Sequence, residues 1–201
     1  MKFSKTDFGY DLPSELIAKY PSQQRTESKT LILDNKFTIQ FFKDTLNHFA
    51  EYDLVVLNET KVRPARILLQ KDSGGYVEIL ILQKTTKYRA VCLAKGLNRK
   101  KTNQTLYAPN FPVKIKIITN GSKDIEIEFD QDIDQLCTEI GQMPIPPYLG
   151  REAEKIDIER YQTVFANDER LGSAAAPTAS LHMDDAFLMN VEQATQVCKI
   201  N

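Results

Sequence analysis

The order of hydrophobic and polar positions divides the chain into stretches of different period. In residues 13–19 a proline stands in front, Leu16 and Ile17 are apolar, and Pro21 stops the run after Tyr20, which predicts a short helix. Residues 30–33 have the length of a brief strand, and Asp34-Asn35 supplies a turn into residues 38–42. Phe42, Leu46 and Phe49 then fall on one helical face. Leu54-Val55-Val56-Leu57 is a continuous apolar run, the pattern of a strand buried on both faces in the middle of an α/β sheet.

After Pro64 the period becomes two. Residues 67–69, 76–82, 88–93, 113–118 and 125–129 are short β-rich runs, several of them alternating. Turn signals separate them: Ser73-Gly74-Gly75, Gly96-Leu97-Asn98, Pro109-Asn110 and Asn120-Gly121. Five or six strands with no helix between them predict an antiparallel sheet closing into a small barrel. The expected fold class is therefore α/β: an α/β domain, residues 1–65 and 132–201, interrupted by an inserted antiparallel β-barrel, residues 66–131. Past the barrel, residues 133–140 read as a helix ended by Gly141, the proline-rich 144–148 as extended chain, and 158–165 as a short helix. Met183, Phe187, Val191 and Ala194 share one face of a final helix, with Asp184 and Asp185 in its first turn.

Composition narrows the class. A 201-residue chain with 42% hydrophobic content can build a real core. No stretch is uncharged for long enough to span a membrane, and the first ten residues carry Asp7 without the apolar segment of a secretory signal. Cys92, Cys137 and Cys198 are odd in number and far apart, which reads as reduced thiols in a cytoplasmic protein. Two histidines exclude a His-rich metal site. The net charge of −1 hides an asymmetry: residues 66–120 hold 11 basic against 2 acidic side chains, and residues 121–201 hold 6 against 16. Such a basic segment can meet phosphate, or its charges are solvated strand faces balanced by the acidic stretch; charge alone favours the second.

Four segments are candidates for chemistry or binding. Ser173 to His182 is rich in small residues that let backbone approach a ligand, with hydroxyls on Thr178 and Ser180. His182 is the only ring there able to trade a proton near neutral pH. A tight loop crossing with an ordinary cap is the equal alternative. Arg63 and Arg66 follow the apolar strand at the place where open α/β sheets bind ligands, and offer bidentate donors to carboxylate or phosphate; a solvated hinge is the alternative. Arg99-Lys100-Lys101 is a phosphate patch or a solvated turn. Residues 141–148 are a polyproline ligand or a stiff linker packed on its own protein.

Several segments in order carry a family resemblance. They are Asn58-Glu59-Thr60-Lys61-Val62 with Pro64-Ala65-Arg66, Ser73-Gly74-Gly75 running into Val77-Glu78-Ile79-Leu80, and Gly141-Gln142-Met143-Pro144-Ile145-Pro146-Pro147-Tyr148. Tyr161-Gln162-Thr163-Val164-Phe165-Ala166 and Ala175-Ala176-Pro177-Thr178-Ala179-Ser180-Leu181-His182 follow. Together they resemble the S-adenosylmethionine:tRNA ribosyltransferase-isomerases of queuosine biosynthesis. The resemblance implies an α/β part interrupted by a barrel. It also implies a reaction in which the ribosyl group of S-adenosylmethionine moves to 7-aminomethyl-7-deazaguanine at the tRNA wobble position, giving epoxyqueuosine. S-adenosylmethionine is then a substrate, and no metal or further cofactor is implied. Within that reading His182 is the expected proton carrier by its chemistry, since the motif match alone does not assign the role, and Thr178 is expected to be catalytic beside it; Arg63, Arg66, Pro177 and Ser180 are expected to bind substrate, and Arg99, Lys100 and Lys101 to face tRNA.

The chain departs from the family's pattern at Lys61, usually Arg, at Arg63, usually aliphatic, and at Ser180, usually Gly, where a positive φ would carry a cost. Family members also continue with further strands, so the α/β domain is expected to be incomplete at its C-terminus: the chain is a fragment, a truncated gene product, or a half that needs a separate C-terminal half. The rival expectation is a non-catalytic RNA-binding or interaction module that keeps the first part of the fold.

Overall fold

The computed structural model describes residues 3–33 and 36–200. Short 3₁₀ turns at Lys5–Phe8, Ser14–Leu16 and Arg25–Glu27 open it, so the helix expected over residues 13–19 shrinks to one turn. Leu16 is exposed there, and a helix that short does not hold without a buried face. A hairpin follows, β1 (Lys29–Leu33) antiparallel to β2 (Phe37–Phe41); the turn expected at Asp34-Asn35 lies outside the described residues. The 3₁₀ turn Phe42–Thr45 runs into α1 (Leu46–Ala50), then β3 (Leu54–Asn58) and β4 (Thr60–Val62).

The barrel consists of β5 (Arg66–Gln70), β6 (Tyr76–Lys84), β7 (Arg89–Lys95), β8 (Asn103–Tyr107), β9 (Pro112–Asn120) and β10 (Ile125–Phe129). Their order is β5-β6-β7-β10-β9-β8, all antiparallel, and Gln70 opposite Tyr107 closes β5 on β8. Alternate residues such as Ile67 and Leu69, Val77, Ile79 and Ile81 point inward and are fully buried. Each such side chain contributes about 1.5–3 kcal/mol of burial, which makes this interior the main source of stability. Strand β8 was not among the apolar runs because its text is polar. Its buried Gln104 is satisfied by the carbonyl oxygens of Asn98 and Lys101, at 3.0 and 2.8 Å.

α2 (Ile133–Ile140) seals the barrel with Ile133, Leu136 and Cys137. Burial pushes the Cys137 thiol up to about 11 and the Cys92 thiol up to about 12, so both stay protonated. The acidic stretch pairs with part of the basic one: Lys84 with Asp134, Lys87 with Asp132 and Arg89 with Glu128. β11 (Gly141–Gln142) lies against β5. Gly141 is required where α2 ends, since a Cβ there would stand 2.0 Å from the Pro64 carbonyl oxygen and 2.3 Å from that of Cys137. The extended chain expected over residues 144–148 is broken twice: the Ile145 N–H turns back to the Met143 carbonyl at 2.9 Å, and Pro147–Leu149 form a 3₁₀ turn.

The remaining elements are α3 (Lys155–Arg160), β12 (Asn167–Ser173), α4 (Asp185–Ala194) and β13 (Gln196–Ile200). The helix expected over residues 158–165 starts earlier, because Glu154 and Asp157 cap residue 155, and ends at Arg160. β12 pairs in parallel with β4, and β13 in parallel with β3. α4 buries Phe187, Leu188 and Val191 against Phe42 and Leu57. Double-sided burial of β3 does not occur: Leu57 is buried, but Leu54 is 49% and Val56 53% exposed. Among the described residues β13 is its one strand partner, and the helices cover a single face.

Candidate functional site

A cleft of about 1010 Å³ opens where the ends of β4 and β11 meet α3, its C-terminal turn and the start of α4. Several contacts hold the elements around it. The Gln162 side-chain amide pairs with both backbone groups of Val62, accepting from its N–H at 2.9 Å and donating to its carbonyl at 2.6 Å. Arg151 grips Asp157 through two nitrogens at 2.7 and 2.8 Å, and Asp157 also accepts from the Glu154 N–H at 2.8 Å. The Arg151 guanidinium holds the Asp157 carboxyl below the usual carboxylate range. The N-terminal segment is strapped across α3, Arg160 donating to the carbonyls of Gln23 and Ser22 and Arg25 to those of Glu159 and Leu181.

The lining holds four basic and four acidic side chains, so the cleft has no strong sign of charge. Three polar atoms of its lining residues are buried without a hydrogen-bond partner among the described residues: Gln142 Oε1, Thr163 Oγ1 and Arg160 Nε. Buried polar groups are normally bonded, so these stand out.

The expected site residues scatter around this cleft. Thr178, Ser180 and His182 share one 3₁₀ unit, Thr178–His182, separate from α4. Pro177 caps that unit, accepting from the Ser180 N–H at 2.9 Å. No non-glycine residue among those described has a positive φ, so Ser180 carries no backbone strain. His182 stacks at 5.5 Å on Phe42, and burial lowers its pKa below 6.5. It does not line the cleft, although Asp184, two residues on, does. Arg63 is buried, its guanidinium 3.6 Å from Asp134. Arg66 bonds Glu78 at 3.1 Å and faces a second, smaller hollow of about 370 Å³ beside Pro144 and Arg151.

On the barrel, Arg99 ties two loops together by donating to the carbonyls of Gly121 and Lys123, whereas Lys100 and Lys101 are exposed. Lys101 shares a shallow groove with Lys114 and Lys116 of β9. Those two were signalled in the sequence by their spacing of two on a strand, which puts them on one outward face. Gln142, Gln162 and Thr163 lay inside motifs already singled out, yet nothing in the residue types marked them as neighbours.

An interrupted α/β frame, an inserted antiparallel barrel and a charge-balanced cleft at their seam define the class of protein. The chain matches the family model "Queuosine biosynthesis protein" over residues 5–201, and it belongs to that family. Similar proteins named S-adenosylmethionine:tRNA ribosyltransferase-isomerase include one from Acinetobacter baumannii (strain SDF), 44% identical over 94% of this chain and 54% of its own length. Others come from Syntrophomonas wolfei, at 39% over 90% and 53%, and Legionella pneumophila (strain Paris), at 37% over 94% and 56%. The chain thus spans about half the length of the curated relatives it matches. A solved S-adenosylmethionine tRNA ribosyltransferase from Thermotoga maritima is 20% identical, with a TM-score of 0.35 over 96% of this chain and 56% of that one.

Proposed function

We propose that this chain serves tRNA queuosine modification in the cytoplasm, as part of an S-adenosylmethionine:tRNA ribosyltransferase-isomerase. The ribosyl group of S-adenosylmethionine moves to the aminomethyl group of 7-aminomethyl-7-deazaguanine at the wobble position. The ribose rearranges to an epoxycyclopentane, and adenine and methionine leave. The family match over residues 5–201 carries this reading. Residues 1–65 and 132–201 form the catalytic-type domain around the cleft, and the barrel, 66–131, meets tRNA phosphate through Lys100 and Lys101. Arg99 supports them by holding their loop.

A sulfonium acidifies the neighbouring ribose C–H, so a positioned base can begin the rearrangement. His182, held neutral at pH 7 by burial, takes that role with Thr178 beside it. Pro177 and Ser180 shape the backbone there, and Arg63 and Arg66 order the junction with the barrel. The test is adenine release from S-adenosylmethionine in the presence of tRNA carrying the aminomethyl-deazaguanine.

One observation favours a second reading, a non-catalytic RNA-binding or interaction module. The outward faces of β1–β2 (Leu31, Leu33, Phe37, Ile39) and of β3 (Leu54, Val56) are exposed. In the enzyme reading the part of the relatives' length that this chain does not match covers them. Turnover by the chain, alone or with that part supplied, supports the enzyme; tRNA binding without turnover in either case supports the module.

A further inference from the structure

Of the three unpartnered polar atoms on residues that line the cleft, Gln142 Oε1 can only accept a hydrogen bond, Arg160 Nε can only donate one, and the Thr163 hydroxyl can do either. Thr163 is 5% exposed, so its hydroxyl has been taken out of water without compensation. Its neighbour Gln162 is locked to Val62, which fixes the backbone that presents it. Folding therefore carries an unmet polar cost at this cleft, of the kind a bound ligand repays.

The mixture of needs selects the ligand. A phosphate or carboxylate supplies only acceptors and leaves Gln142 Oε1 unmet. An ammonium supplies only donors and leaves Arg160 Nε unmet. An amino-substituted purine edge presents an N–H donor beside a ring-nitrogen acceptor, and glutamine is the usual partner of such an edge. Val62, Pro64 and Met143 add apolar surface for the ring, and the balanced charge of the lining suits a neutral base.

We propose that Gln142 and Thr163, with Arg160, are the specificity-determining residues that read an amino-bearing purine-type base in this cleft. The assignment rests on the enzyme reading above, and two sources offer this chemistry: the adenine of S-adenosylmethionine and the aminomethyl-deazaguanine of the tRNA.

The experiment measures two quantities on the 201-residue chain, its thermal midpoint without ligand and its affinity for base probes by equilibrium dialysis. Thr163→Val and Gln142→Met keep the shape of the side chain and remove the unmet polar atom. Each is expected to leave the midpoint unchanged or to raise it, while weakening the base by about fivefold or more. Thr163→Ser keeps a hydroxyl and keeps affinity. Adenosine and free 7-aminomethyl-7-deazaguanine are compared, and the tighter of them identifies the source. Purine riboside, which lacks the N–H donor, binds more weakly than adenosine if adenine is that source.

A midpoint that falls by several degrees in both variants would show these atoms to be bonded in the free protein and would overturn the proposal. So would absence of binding by both bases, or equal affinity in parent and variants. Adenine release that persists in the presence of equal affinities would discard the base-reading role alone and leave the enzyme reading standing.

Discussion

Asp157→Asn removes one charge and almost no volume from the buried side of α3. In the parent, Asp157 is 3% exposed and accepts two charge-assisted bonds from Arg151, at 2.7 and 2.8 Å, and one from the Glu154 N–H. Arg151 also donates to the Lys19 carbonyl at 2.7 Å and stacks 4.5 Å from the Tyr20 ring, so the pair anchors the N-terminal strap as well as α3. The asparagine leaves a nearly buried guanidinium without its counter-charge. Breaking one partner of such a pair costs about 3–5 kcal/mol, or roughly 6–20 °C in melting midpoint for a chain of this size. Thermal and urea denaturation measure it, and Arg151→Met combined with Asp157→Asn should cost less than the sum of the single changes.

The pH dependence gives an independent check. The folded Asp157 carboxyl lies below its unfolded value, so its contribution is complete above that value, about 3.9, and fades as pH falls through the lower folded one. The gap between parent and Asp157→Asn should therefore be widest near neutral pH and close in acid. A midpoint change under 2 °C (approximately the lower limit of a 1 kcal/mol effect), or a gap that ignores pH, would refute the reasoning.

Gly141→Ala should lose about 3 kcal/mol in urea unfolding, the upper end for overpacking, because the new methyl overlaps two backbone oxygens that no rotamer change can move. Lys100→Glu with Lys101→Glu should weaken tRNA binding and lower the slope of log affinity against log salt by about 2, whereas Arg99→Glu should also lower the melting midpoint by freeing the loops it ties. In a preparation that turns over, the acid limb of kcat/KM should fall below pH 6.5, since burial lowers the His182 pKa, and His182→Ala should abolish that limb.

The barrel was legible because its strands alternate, and alternation is a local signal that closure then uses directly. Residues 133–140 were legible for the same reason at helical period. β8 was not, because the residue it turns inward besides Leu106 is Gln104, whose burial depends on the carbonyls of Lys101 and Asn98, three and six residues back along the irregular segment before the strand. β3 misled in the opposite direction. Four apolar residues in a row state that both faces can be covered, and composition has no way of saying whether the covering layer belongs to the same stretch of chain; here Leu54 and Val56 face out.

The cleft depends on a different kind of information. Val62 and Gln162 are 100 residues apart, and the pairing of a side-chain amide with both backbone groups of a strand end leaves no trace in hydropathy. That pairing nevertheless fixes the backbone that presents Thr163, and Gly141 lets the chain entering Gln142 pass close to the Pro64 carbonyl, two residues beyond Val62. The histidine-bearing segment looked ligand-ready because small residues and hydroxyls are visible one at a time. What marks the cleft is a shortage, an acceptor and a hydroxyl buried with nothing to bond, and a shortage becomes visible only when every neighbour has been placed. The two observations meet at Asp184, which caps α4 through the Phe187 N–H at 2.8 Å, lines the cleft, and follows His182 by two residues. The cleft wall therefore reaches the start of α4, two residues beyond His182, so the segments proposed for base recognition and for proton transfer are separate in the chain and meet at one helix start.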